Sequence, residues 1–264
     1  MPPMHQLALS PLRIVRWLTA AATLLVLASM VGQLVKHVLG HDTVFGLVPL
    51  FYVDAENNIP SYFSASLLLI AAALLGVIAA FKARARDVQA ARWTVLAFVF
   101  LYLSVDEAAS IHEMLTEPTR QLLGGRAGGI FYFAWVVPGT AVALVFALYF
   151  LKLLADLPAK IRRLFVVAGA MFLGGAIGME LIGGRYFEAN GEDLTYTLIA
   201  TVEESLEMAG ALVFISALMQ YIAETYEEAR FTFRADPPDA GAAAATRPGR
   251  SAPGAPAPVS GADS

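Results

Sequence analysis

The chain has 264 residues, of which 58% are hydrophobic and 15% charged, and its mean hydropathy is +0.63. So few charges, spread between long apolar runs, exclude an ordinary soluble domain. No cysteine is present, which excludes disulfides, thiolate metal sites and a cysteine nucleophile, and a net charge of −4 supplies no basic surface for nucleic acid.

A bilayer core takes ~20 apolar residues to cross as a helix, and a backbone inside it must satisfy its own hydrogen bonds. Six stretches meet that requirement, at about 17–35, 62–81, 93–112, 130–154, 164–184 and 196–223. They predict an all-α, polytopic transmembrane helix bundle filling residues 17–225, after a short N-terminal segment of 1–16. Arg13 and Arg16 precede the first run and Ala28 stands where a signal peptidase would cut. A cleaved signal is therefore the alternative there, but the run is longer than a usual signal core.

Orientation follows from the basic residues, which favour the cytoplasmic side. With the N-terminus inside, 14 of the 18 Lys and Arg residues fall on the cytoplasmic side. The most telling are in the short loops, Lys82, Arg84, Arg86 and Arg92, then Lys160, Arg162 and Arg163. Only Lys36, Arg120, Arg126 and Arg185 lie outside. Both ends are thus expected in the cytoplasm of a cell whose inner membrane holds the chain. Residues 226–264 end in a stretch made almost wholly of Ala, Gly, Pro, Ser and Thr, which lacks the apolar side chains to offset ordering entropy and reads as a disordered tail.

Acids gather on the opposite side. Asp106, Glu107, His112 and Glu113 belong to the third span, Glu180 to the fifth, and Glu203, Glu204 and Glu207 to the sixth. At ~1.5 Å per residue, Glu107 lies ~10 Å below the outer boundary, Glu203 and Glu207 ~10–16 Å, and Glu180 ~6 Å. Three helices distant in sequence therefore bring acids to one level. Helical phase puts Asp106 on one face with Glu113, and Glu203 with Glu207, while Glu180 shares a face with Gly183 and Gly184. The Gly174-x-x-x-Gly178 spacing favours close helix approach there. His112 and Glu107 flank the Asp106/Glu113 face and reach inward only if the helix end is irregular.

A charge at such depth costs ~2.5–3.5 kcal/mol even on insertion scales, and crowded carboxylates do not all ionise without cations. Two compensations are open, bound metal or held protons. For a metal, Asp106, His112, Glu113, Glu180, Glu203 and Glu207 are the candidate ligands. Carboxylates with one imidazole suit Mn, Fe or Zn better than Mg or Ca. Glu107 or Glu204 is then left as general base. The bland alternative is a wide, wet vestibule, with His112 an interfacial histidine. Trp17 and Trp93 at the inner boundary, and Tyr62, Tyr132, Trp135, Tyr186 and Tyr196 at the outer one, read as interfacial belts. The loop over 40–60 is apolar in its middle and is a candidate lid, with Glu56 and Asn57 as possible extra ligands.

At Asp54-Ala55-Glu56-Asn57-Asn58-Ile59-Pro60, Asp106-Glu107-Ala108-Ala109-Ser110-Ile111-His112-Glu113 and Glu203-Glu204-Ser205-Leu206-Glu207-Met208, the chain resembles a set of uncharacterised bacterial inner-membrane proteins. The resemblance covers most of the membrane domain, omits the tail, and implies no activity. The functions left open are a metal-dependent membrane hydrolase or oxidase acting on a lipid-like substrate, a proton- or cation-coupled transporter, and a non-enzymatic sensor or assembly protein. The sequence does not set the oligomeric state. Because the chain lacks cysteine, its orientation has a direct test. A cysteine at Glu188→Cys is expected to react with a membrane-impermeant maleimide in intact cells, and one at Ala83→Cys only after lysis. The reverse pattern inverts the topology.

Overall fold

The computed structural model describes residues 10–125 and 127–226. The expected tail and most of the N-terminal segment lie outside these. Helix α1 spans Pro11–Leu39, α2 Leu47–Phe51, α3 Ile59–Arg84 and α4 Ala90–Ala109. A 3₁₀ turn at His112–Leu115 leads into α5 (Thr116–Leu122), and a second at Gly129–Phe131 precedes α6 (Val136–Asp156). Then come α7 (Ala159–Leu173), a π-helical segment (Gly174–Met179), α8 (Glu180–Asn190) and α9 (Leu194–Thr225). The architecture is all-α, with no strand among the described residues. Five helices are long and apolar enough to cross a membrane: Pro11–Leu39, Ile59–Arg84, Val136–Asp156, Ala159–Asn190 and Leu194–Thr225.

The third predicted span is the exception. It does not run straight to His112, because α4 stops at Ala109 and the chain bends by 79° before Glu113–Leu122. Ser110 sits at φ 48°, ψ 44°, a left-handed conformation that ends an α-helix. Asp106 accounts for the break locally. Its carbonyl accepts the Ser110 N–H at 2.6 Å and its carboxylate accepts the His112 N–H at 2.8 Å. A side chain that caps the backbone in this way competes with helix continuation. The bend also undoes the seven-residue relation that had placed Asp106 and Glu113 on one face.

Helices α3 and α9 form the centre, with α4 against α3, α7 and the π segment against α9, and α1 against α9. The half of the bundle assigned to the cytoplasmic side is closed by fully buried Leu75, Ile78, Trp93, Ile161, Ile215 and Leu218. Trp93 is a core residue, 2% exposed and stacked on Tyr221 at 5.1 Å, and not the interfacial anchor its position suggested. Trp17 and Tyr62, 77% and 76% exposed, do face outward.

Close approach between helices depends on two glycines. A Cβ on Gly210 of α9 would stand 2.8 Å from Phe172 N and 2.9 Å from Ala168 O. One on Gly175 would meet Glu203 O and Glu207 Cγ, each at 2.8 Å. Gly174 and Gly178, the pair the spacing had singled out, have open space where a Cβ would go. The reason is the π turn, whose i→i+5 bonding shifts the phase of the helix and carries Gly175 into the interface. Helix α6 is the loosest span, with Val136 and Leu153 buried near its ends and no residue between them buried.

Gly210→Ala forces α7 and α9 apart against backbone atoms and is expected to destabilise the protein by ~1–3 kcal/mol. Gly76→Ala in α3 has open space and is expected to be neutral or stabilising. Thermal midpoints in detergent compare the two.

Candidate functional site

The break after α4 places His112 beside the end of its own helix. Its Nδ1 lies 2.9 Å from Asp106 Oδ2, while the other oxygen of Asp106 holds the His112 backbone N–H. An ionised carboxylate only accepts, so Nδ1 is the protonated nitrogen and Nε2 keeps its lone pair when the ring is neutral. The His112 ring packs on Trp135 at 4.5 Å between centroids, and Trp135 Nε1 donates to Glu180 Oε1 at 2.8 Å. Trp135 directly precedes α6. It was expected in an interfacial belt, but it instead ties the α4 break to α8.

From Glu180 the polar chain passes to α9. The Glu180 and Glu203 carboxyl groups are close neighbours, and so are those of Glu204 and Glu207. Glu107 lies close to buried Ser64 on α3 and is a neighbour of Glu204 and Glu207. All five glutamates are half-buried. Among the described residues none of them pairs with Lys or Arg, and the only acid of the group with a basic partner is Asp106.

The structure thus unites most of the predicted residues, but not as a ready-made metal centre. Among the described residues, no three His, Asp or Glu side chains come together in a geometry that could hold a metal ion. Asp106 is spent on His112, Glu180 is turned to Trp135, and Glu113 lies exposed on the 3₁₀ turn beyond the bend. Of the two residues expected as general base, Glu107 lies beside Ser64, and Glu204 lies half-buried among its fellow acids.

The 40–60 loop covers the outer end of α3, though with different residues from those anticipated. Glu56 and Asn57 are exposed, while Asp54 is drawn inward. Val48 and Val53 are buried, the Val53 N–H donates to Ser29 Oγ at 3.1 Å, and Val48 packs on Gly32 of α1. Asn58 begins α3 with a reciprocal capping box to Ser61, and its amide donates to the carbonyls of Pro49 and Tyr52. This anchoring holds the Tyr52 hydroxyl where it donates to Asp54 Oδ2 at 2.9 Å. Asp54, outside the spans, feels Glu180, Glu113 and Glu192, and burial pushes its carboxyl up to about 7. Asp54 stands in one of the quoted motifs, but nothing in the one-dimensional pattern distinguished it from exposed Glu56 two residues on.

Because folded Asp54 binds its proton more tightly than the unfolded chain does, the stability this gives is present at low pH. It is lost as pH rises from about 4 through about 7. Asp54→Asn resembles the protonated form. Its thermal midpoint is expected to match the parent's near the acid end of that window and to exceed it at about pH 8. An equal offset at both ends would contradict the assignment.

No curated protein and no solved structure matches the chain. A family profile does match, over residues 12–222, and so reaches into every span and takes in all the acids described above. The chain belongs to the family described as Domain of unknown function (DUF8692).

Proposed function

We propose that the chain is an inner-membrane enzyme with a one-sided acid–base site, open to the outer half of the bilayer and acting on a lipid-like ester. The observation that carries this reading is the run Asp106–His112–Trp135–Glu180–Glu203, set beside Glu107, Glu204 and Glu207 with no Lys or Arg partner among the described residues. His112, oriented by Asp106, would take a proton from an attacking water at Nε2. A protonated member of the Glu180/Glu203 pair would return one to the leaving oxygen. Crowded carboxylates in a low dielectric retain protons because they do not all ionise together. Trp135 starts α6, whose apolar side chains between Val136 and Leu153 are not buried and give an apolar substrate a lateral approach.

Transport fits less well, since the inner half is sealed by apolar side chains and holds no matching row of acids. A divalent ion is the other way to offset the charge, and the two compensations are separable by measurement. Infrared difference spectra of purified protein are expected to show protonated carboxyl groups near neutral pH, reduced in Glu203→Gln. Elemental analysis is expected to show metal well below one per chain. Near-stoichiometric metal, absent from a folded Glu203→Ala, Glu207→Ala variant, would replace proton storage with metal chemistry. In a turnover screen with long-chain esters, His112→Gln is expected to lose ~10²–10⁴-fold in rate, and a rate unchanged by it would remove His112 from the reaction.

A further inference from the structure

Helix α4 has 20 residues, ~30 Å at ~1.5 Å each, which is by itself the depth of one bilayer crossing. The 79° bend then turns Glu113–Leu122 nearly at right angles to it. Along the turned segment Met114, Leu115, Leu122, Leu123, Ile130 and Phe131 are all exposed, Leu122 at 87%. Single exposed apolar residues are ordinary, but six so close together mark an interaction surface. Their arrangement is two-sided. Leu115, Pro118 and Leu122 are spaced i, i+3 and i+7 and share one face of α5, whereas Glu117, Arg120 and Gln121 lie opposite. The polar face satisfies itself: Arg120 Nη1 donates to Glu117 Oε2 at 3.3 Å and Gln121 Nε2 to Glu117 Oε1 at 3.1 Å. Arg120 also ties α5 to the second 3₁₀ turn. Its Nη2 donates to the Tyr132 carbonyl at 2.8 Å, and its guanidinium lies over the Tyr132 ring at 5.6 Å. Behind that turn the Gly129 N–H donates to Glu188 Oε2 at 2.6 Å and Tyr132 packs on Phe187 of α8 at 5.4 Å. Polar and aromatic contacts thus hold the inward side, and Ile130 and Phe131 are left facing out.

We propose that α5 and the Gly129–Phe131 turn form an amphipathic plate seated in the lipid leaflet on the side of the acids. Leu115, Leu122 and Phe131 lie among its acyl chains, and Glu117 and Gln121 among its headgroups. The occupant is lipid and not a soluble partner, because the plate begins where a full-length crossing ends. It continues an apolar surface already facing outward on α4, where Phe98, Leu101 and Val105 are exposed. A helix with one apolar and one polar face settles in this way along the boundary between headgroups and chains. The third span is then α4 alone, and the chain after the bend neither crosses nor re-enters. His112 starts the 3₁₀ turn that leads into the plate, and Trp135 follows the turn that ends it. The plate therefore fixes the depth at which a lipid of that leaflet meets His112. That consequence rests on the acid–base reading; the seating of the plate does not.

Because the chain has no cysteine, single nitroxide labels at Leu122→Cys, Phe131→Cys and Gln121→Cys test the seating directly. Full-length protein in phosphatidylcholine–phosphatidylglycerol vesicles is exposed to oxygen, which concentrates in lipid, or to a neutral nickel chelate, which stays in water. Labels at 122 and 131 are expected to collide more with oxygen and to report a depth ~5–10 Å into the headgroup–chain boundary. The label at 121 is expected to show the reverse, more nickel than oxygen. More nickel than oxygen at either apolar position would overturn the plate and make the segment an aqueous loop. A label at 121 shielded from nickel would overturn it too, since the segment would then be packed inside protein or re-enter the bilayer. If one of the two apolar variants fails to elute as folded protein, the other decides. A seated plate with turnover unchanged in His112→Gln would keep the plate and remove only the acid–base reading.

Discussion

An ionisable side chain inside a bilayer is tolerated only with company, because the surrounding hydrocarbon cannot solvate a bare charge. Here the acids of α4, α8 and α9 are not given Lys or Arg among the described residues. They are given each other, one imidazole, an indole N–H and a serine hydroxyl. Such a set is neutralised by protons or by a cation from outside the chain, and either makes it chemically responsive. Much of the rest of the fold serves to hold these groups near one another. Gly175 lets the π segment close onto Glu203 and Glu207, Gly210 lets α7 pack against α9, and buried apolar side chains fill the end of the bundle away from the acids.

Irregular backbone is concentrated where the acids are. The left-handed Ser110, the 79° bend, the π turn and the tightly capped loop before α3 all fall in the outer half. Regular helices would leave the side chains on fixed ridges pointing along each span. A break frees His112 to fold back on Asp106, and an added residue in the π turn rotates Glu180 relative to α7. Backbone that departs from helix at membrane depth persists only where protein or water can satisfy it. Here the Asp106 carboxylate and the Asn58 amide do so.

Polar contacts also divide the site into two parts with different demands. Around His112 and Glu180 the partners are short, directional hydrogen bonds that orient individual atoms. Around Glu204 and Glu207 they are mainly other carboxylates, so electrostatics dominates over geometry. Asp54 joins the two from above, held by a loop whose own hydrogen bonds go to α1 and to the start of α3. Any chemistry at the site is therefore coupled to the packing of α1, a helix that otherwise contributes few buried side chains.

The all-α class, and apolar helices at five of the six expected spans, were legible in the sequence. They depend on hydrophobic run length and on a fixed rise per residue, which are one-dimensional quantities. Even the need for an irregular helix end near His112 could be stated, since phase alone would not let it face the acids. What the linear pattern did not contain was the partner of each side chain. Trp93 and Trp135 look alike as boundary aromatics, yet one is buried in the core and the other bonds Glu180. Asp54 and Glu56 stand two residues apart, yet one turns in and the other out. The metal-ligand set failed to assemble because ligation needs three donors to converge on a point within a few tenths of an ångström. That convergence is decided by rotamers, a bend at Ser110 and one extra residue in a helical turn, all of which follow from contacts between helices far apart in the chain.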